Sequence, residues 1–329
     1  MSKAPRIRTL TATQSAWLTA TLGTPRPLYY AGGADDAAGL PAHVRAASAI
    51  RRRGTRLAIV QDDVNAIAVL DPSTNTARPL LLPADTTGTR MFDKAHDNKK
   101  RKLDLEACVT LPDGRLVALG SGSSPYRERF VIIAADAAGS VRIVEAGALY
   151  AELRVHAEGR GAELNIEGAV VHGDSVRLLQ RGNGKHGGAP WNAILDLALE
   201  EFLDWLEDPK GRLTIQRILD VDLGAIKGVP VGFSDATVTA DGRMAFLACA
   251  EDSADALSDG PVLICRFGWL DAGDSAAVMT DVLDADGRPT RLKLEGIEAS
   301  ADGGPTFDVV ADMDRPEVPS LIARLTVLG

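Results

Sequence analysis

Five times along the chain a short acidic or hydroxyl residue is followed, six to eight positions later, by a tight Gly-containing turn and then an apolar run. The segments are Ser48-AIRRRGTRLAIV, Glu106-ACVTLPDGRLVAL, Glu167-GAVVHGDSVRLL, Ser234-DATVTADGRMAFL and Glu295-GIEASADGGPTFDVV, and their leading residues stand 58, 61, 67 and 61 positions apart. A strand-built period of this length makes each repeat one supersecondary unit that buries its faces only against its neighbours, as in radial or linear arrays. If the array closes into a ring, the leading residues meet at its centre.

The second repeat shows the internal pattern most clearly. EACVTL leads through a PDG turn into RLVALGS, then across SSPYRER into FVIIAAD, and through AAG into SVRIVEA. Asp-Gly and Gly-Asp turns between short β-branched runs are the connections of antiparallel neighbours, and four antiparallel strands per repeat make a propeller blade. The expectation is an all-β fold: a single five-bladed β-propeller over residues 1–329, with blades starting near 46, 104, 165, 232 and 293. Six blades is the alternative, should residues 1–45 build more than one strand. The last repeat ends after EGIEAS, TFDVVAD and LIARLTVL, one strand short, whereas the N-terminal RIRTLTAT has no blade of its own. RIRTLTAT is therefore expected to join the last blade and close the ring. One segment departs from strand patterning: DLALEEFLDWLED (196–208) places Leu199, Phe202, Leu203 and Leu206 at helical spacing, a capping helix at the rim.

A net charge of −9 argues against nucleic acid as a partner, because phosphate backbones are bound through clustered Lys and Arg. No apolar stretch has the length of a signal-peptide core or a membrane span, so no membrane partner and a cytoplasmic location are expected. Cys108, Cys249 and Cys265 all lie in apolar strand-like runs and are read as buried free thiols rather than a disulfide or metal set. The five histidines have no zinc spacing, and no GxGxxG, Walker A or GxSxG motif supports dinucleotide, P-loop or serine-hydrolase chemistry.

The tripeptides that open the repeats are Ala46-Ala47-Ser48, Asp104-Leu105-Glu106, Asn165-Ile166-Glu167, Gly232-Phe233-Ser234 and Lys293-Leu294-Glu295. Strand alternation buries the apolar middle residue and turns its flanking pair to the axis, above an expected apolar throat of Cys108, Ala169, Ala236 and Ile297. Three glutamates and two serines on one axis cannot all stay charged unless a cation compensates them. An all-oxygen set suits a hard ion, and Ca2+ fits better than Mg2+. The alternative is a water-filled channel whose carboxylates cap strands or pair with Arg and Lys.

At this point the chain resembles a known family. The order Ser48, Glu106, Glu167, Ser234, Glu295 is similar to the axial calcium ligands of calcium-activated nucleotidases, or apyrases, which are five-bladed propellers. RLAIVQDDVNAIAVLD resembles that family's strand ending in Asp-Asp-Arg-Thr-Gly, with Asp62 and Asp63 at the paired acidic positions but Val64 and Asn65 where Arg and Thr would stand. LNIEGAVVHGDSVRLLQRGNG and KLEGIEASADGG are also similar to the Glu-Gly-Leu-Ala signature of esterase-like and phytase-like bacterial propellers.

Long loops gather basic residues around the expected mouth, an arrangement suited to a small anionic ligand. The resulting expectation is a Ca2+-dependent hydrolase of a small phosphorylated substrate. Ser48, Glu106, Glu167, Ser234 and Glu295 would hold the metal, and Asp62, Asp63 or Asp104 would act as base. Arg127, Arg181, Asn183, Lys185 and His186 would bind substrate. The alternatives are a non-catalytic propeller with a structural cation and a ligand or protein partner, and an esterase- or lactonase-like hydrolase.

Overall fold

The structure is a computed structural model that describes residues 4–136, 139–182, 190–253 and 260–329. It is mostly strand, arranged as a β-propeller-like set of antiparallel units. Two N-terminal strands of four residues or more come first, β1 (Arg6–Gln14) and β2 (Thr19–Leu22), followed by the two-residue strands Arg26–Pro27 and Tyr29–Tyr30. The first repeat pairs β3 (Ala47–Arg53), β4 (Arg56–Gln61), β5 (Ala66–Asp71) and β6 (Thr76–Leu81) in order. The second pairs β7 (Leu105–Thr110), β8 (Leu116–Gly120), β9 (Arg129–Ile133) and β10 (Val141–Glu145). Helix α1 (Gly147–Glu158) precedes the third repeat, β11 (Ile166–His172), β12 (Ser175–Gln180), β13 (Ala193–Ala198) and, after α2 (Leu199–Glu207), β14 (Ile215–Asp222). The fourth comprises β15 (Val229–Val238), β16 (Met244–Glu251), β17 (Val262–Leu270) and β18 (Ala277–Leu283). The last has β19 (Lys293–Ala299), β20 (Thr306–Asp312) and β21 (Leu321–Leu328).

The first strands of the repeats are spatial neighbours: β3 lies against β7, β7 against β11, β11 against β15, β15 against β19, and β19 against β3. Each carries a β-bulge at its leading residue. The registers skip Ser48, Glu106, Glu167, Ser234 and Glu295, so that Leu105 and Ala107, for example, oppose Gly120 and Leu119 with Glu106 left over. A bulge breaks the two-residue alternation and re-aims the extra side chain. The consequence is visible in the packing. Ala47 and Ile50 share one apolar cluster, as do Leu105 and Cys108, Ile166 and Ala169, Phe233 and Ala236, and Leu294 and Ile297. Residues three apart therefore lie on the same face. The expected apolar throat is thus corrected: Cys108, Ala169, Ala236 and Ile297 pack among the sheets, and the centre instead holds a buried ion pair, Arg51 with Asp235.

The N-terminus also departs from expectation. RIRTLTAT does not complete the last repeat. As β1 it runs parallel to β14 (Arg6–Thr11 beside Arg217–Asp222) and then to β18 (Ala12–Gln14 beside Ala277–Met279), stitching two repeats along their outer edges. It is β2 that pairs antiparallel with β21, Thr19–Leu22 opposite Leu325–Leu328. The reason is amphipathicity: Leu18, Ala20 and Leu22 enter the apolar cluster of the last repeats, with Thr19 and Thr21 exposed between them, whereas β1 is largely exposed.

The helix expected over 196–208 is shorter, because residues 196–198 finish β13; α2 buries Phe202, Trp205 and Leu206, and Phe130 sits against both aromatic rings. Helix α1, over a stretch with no helix expected, buries Leu149, Tyr150 and Leu153. Cys249 and Cys265 form a disulfide, correcting the reading of free thiols: they are directly opposed on β16 and β17, with Cα atoms 4.2 Å apart. Cys108 is free and buried. Among the described residues no helix is long and apolar enough to cross a membrane.

Candidate functional site

The bulges bring the three leading glutamates together. Carboxylate oxygens of Glu106, Glu167 and Glu295 all lie within 4.8 Å of one another. Two ligands of one ion at about 2.4 Å each cannot be further apart than that, so the spacing admits a shared cation. Glu295 is 4% exposed, and its Oε1 accepts no hydrogen bond; Ser234, 1% exposed, has an Oγ with no hydrogen-bond partner. Buried polar atoms without partners are costly, and clustered carboxylates with an open oxygen could hold a metal ion. Ser48 is already engaged, its Oγ donating to the Leu105 carbonyl at 2.6 Å. The Asn165 Nδ2 donates to Glu167 Oε1 at 2.5 Å.

Burial pushes the Glu106 carboxyl well above its usual range, and Asp62, Asp104 and Glu167 add to the shift. Burial likewise raises Glu167, against the opposing charges of Arg181 and Lys293. Glu295 is pushed up to about 8 by burial, which Lys293 opposes and Glu167 reinforces. Like charges out of water favour the protonated form unless a cation compensates them.

A second triangle shares Glu106: oxygens of Asp62, Asp104 and Glu106 also lie within 4.8 Å of one another. Here the charge is met from within the chain. Lys102 Nζ contacts Asp62 and lies 2.6 Å from Asp104, while Arg127 Nη1 lies 2.8 Å from the other Asp104 oxygen and Ser121 Oγ donates to it as well. Burial penalises the Asp104 carboxylate, yet Lys102 and Arg127 outweigh that penalty and hold its pKa below the ordinary value.

Beside Asp62 opens a cavity of about 430 Å3, lined by Arg45, Asp62, Asp63, Asp93, Asp312 and Asp314 among others. Asp63 faces it but is bound to Arg45, which donates through Nε to both carboxylate oxygens at 3.1 and 3.0 Å. Burial and the neighbouring Asp62 raise Asp63 to about 6 against the pull of Arg45. Asp312 is raised to about 8 by burial, opposed by Lys293.

Of the residues expected to bind an anion, Arg127 and Arg181 are buried in ion pairs: Arg127 with Asp104, and Arg181 with Glu251 at 2.5 Å and Glu167 at 3.4 Å. Asn183, Lys185 and His186 lie outside the described residues. Two further arginines, Arg154 and Arg160, pair with Glu128 and Asp220. Glu251 and Asp312 escaped the sequence reading. Both end the second strand of their repeats, and their signal was the acidic residue closing ACAED and VVADMD, as Gln61 and Gln180 close the corresponding strands.

Solved structures with similar backbones include glutaminyl cyclase from Myxococcus xanthus (12% identity, 99% of this chain and 100% of that one covered, TM-score 0.47). A gluconolactonase from Xanthomonas campestris is similar at 11% identity, covering 94% and 97%, with a TM-score of 0.44. Virginiamycin B lyase from Staphylococcus aureus is similar at 11% identity, covering 94% and 100%, with a TM-score of 0.41. No curated protein matches the sequence significantly. The model of a family of unknown function, DUF6929, matches residues 43–327, nearly the whole repeat array, and the protein belongs to that family.

Proposed function

We propose that the chain is a single five-bladed propeller, closed where β2 completes the last repeat, that binds a hard divalent cation on its axis and hydrolyses a small carboxylic ester or lactone in the adjoining cavity. Glu106, Glu167 and Glu295 would hold the ion, Ca2+ by donor type, with Ser234 and Ser48 beside them. The observation that carries the reading is the convergence of three carboxylates within 4.8 Å of one another, one of which, Glu295, has a buried oxygen that accepts no hydrogen bond. A cation there supplies Lewis-acid polarisation of a carbonyl.

Asp62 is the candidate base, because it lines the cavity, is partly exposed and borders the axial cluster through Glu106. Asp63 holds Arg45 in the cavity wall, and Asp104 clamps Lys102 and Arg127. An ester or lactone is favoured over a phosphate ester because carboxylates outnumber cations at this mouth. Six carboxylates line the cavity, Asp62, Asp63, Asp93, Asp312, Asp314 and Glu317, against four cations, Arg45, Lys94, Lys99 and Arg315, and the sequence-expected Arg127 and Arg181 are held in buried ion pairs. Val64 stands where the apyrase motif has its arginine.

The test is calcium titration by calorimetry and thermal melting, followed by turnover of p-nitrophenyl acetate, a γ-lactone and p-nitrophenyl phosphate. Calcium should raise the melting temperature, Glu167→Gln should abolish that rise, and the ester or lactone should turn over only with calcium. Full calcium affinity in Glu167→Gln would sink the site. Calcium binding without turnover of either carbonyl substrate would remove the catalytic half and leave the ion as a pin between blades.

A further inference from the structure

Glu106 belongs to two carboxylate triangles that differ in how they are filled. In the axial triangle the protein's own cations stand back, Arg181 at 3.4 Å from Glu167 and Lys293 at 3.5 Å from Glu295, and the buried Glu295 Oε1 has no hydrogen-bond donor. In the Asp62–Asp104–Glu106 triangle an ammonium is already in place, Lys102 Nζ touching Asp62 and 2.6 Å from Asp104. That separation is close to the roughly 2.3–2.6 Å at which calcium holds an oxygen. The Lys102 side chain is 8% exposed, so the contact is not a fluctuating surface pair.

The backbone is shaped for it. Lys102 ends a short 3-10 turn in extended geometry (φ −66°, ψ 148°), and Asp104 takes a left-handed φ of 54°, a conformation that Asp adopts more readily than most residues. The reversal presents Lys102 and Asp104 to each other. Two divalent ions bridged by one carboxylate usually sit about 3.5–4 Å apart, and a fixed ammonium in one triangle excludes the second ion by occupancy and by charge.

We infer that Lys102 is a tethered cation that fills the second triangle, limits the mouth to one divalent ion and positions Asp62 at the edge of the cavity. The inference rests on the proposed axial cation only for the native count of one. Without Lys102 the mouth becomes a two-ion site with Glu106 as the bridge.

The experiment counts Mn2+ bound to the full chain by equilibrium dialysis and electron paramagnetic resonance. Lys102→Met should bind one ion more than the native protein, Asp62→Asn in that background should remove the extra ion, and Lys102→Arg should gain none. A Lys102→Met chain with native circular dichroism and a cooperative melt but an unchanged count overturns the inference. Should Lys102→Met fail to fold, the native chain decides: a second ion that Asp62→Asn removes overturns the inference, and a count of one that Asp62→Asn leaves unchanged supports it. A native count of zero with a gain of one in Lys102→Met overturns the axial-cation reading and supports the role of Lys102.

Discussion

Arg51 and Asp235, 184 positions apart in the chain, meet in the buried centre of the molecule through two parallel bonds, Nη1 to Oδ2 at 2.8 Å and Nη2 to Oδ1 at 2.7 Å. The same guanidinium donates to the carbonyls of Ala169 and Ala236 at 2.9 Å and of Ile297 at 3.1 Å, so one side chain from the first repeat ties together three others. Removing one partner of a buried pair leaves the other charge uncompensated, which costs about 3–5 kcal/mol. Arg51→Met should lose stability of that order in urea unfolding, and Arg51→Met with Asp235→Leu should recover part of it. A loss in Arg51→Met below about 1 kcal/mol would show that the pair does not hold the repeats together.

Ser234 separates ligand from scaffold. Its hydroxyl is buried without a hydrogen-bond partner, so Ser234→Ala removes an unsatisfied group and should leave the metal-free melting temperature unchanged or slightly raised. If the oxygen ligates the axial cation, calcium affinity falls about tenfold in the same variant. Equal affinity in the two proteins would take Ser234 out of the ligand set.

The carboxyl shifts give the pH dependence its sign. Glu295 titrates near 8 in the fold against an ordinary value of 4.5, so the fold binds a proton that the unfolded chain has released. The stability from that proton is fully present below pH 4.5 and is lost as pH rises through 8. Glu106, also raised, acts in the same direction. The metal-free protein should therefore melt at lower temperature at pH 8 than at pH 6. Calcium affinity should rise with pH, by about tenfold per unit for each proton displaced. Calorimetry in two buffers of different ionisation enthalpy measures the released protons, and zero release would contradict the buried, protonated state.

The Cys249–Cys265 bond closes a short loop across one hairpin. Loops of this size gain about 3 kcal/mol from a disulfide in the chain-entropy account. Reduction should lower the unfolding midpoint accordingly. Unfolding without reductant should expose one reactive thiol, that of Cys108, and a count of three would contradict the pairing.

Close approach of the first strands explains why a glycine follows two of the leading glutamates. A Cβ on Gly296 would sit 2.9 Å from the Ile50 amide nitrogen and 2.8 Å from a Val310 methyl, and one on Gly168 would sit 3.1 Å from the Asp235 Cα. Overpacking of this kind costs about 1–3 kcal/mol. Gly296→Ala should fall in that range by denaturant midpoint, and a neutral result would mean that the strands can part there.

Much of the architecture was legible because it is local and repeated. The hairpin turns, the apolar runs and the leading Ser and Glu residues recur within short windows, and period-2 and period-3.6 patterns report directly on such windows. The strand that pairs with the end of the last repeat was hidden for the converse reason: Thr19–Leu22 is four residues long, with only two of them buried. RIRTLTAT has the stronger strand signal, yet its faces are mostly exposed and it runs along outer edges.

The chain by itself determined that there would be repeats and that Glu106, Glu167 and Glu295 would open three of them. Both follow from neighbours in sequence. That those carboxylates would converge was an expectation of the repeat pattern; tertiary structure decided how, because the bulge that re-aims each one is a mismatch between two strands and not a property of either. It also decided that Arg51 meets Asp235, that Lys102 fills the triangle beside Glu106, and that Arg127 and Arg181 spend their charge on carboxylates. Ion pairs are selected by distance in a dry interior, where an unpaired charge is far more costly than in water, and distance exists only once the sheets have packed.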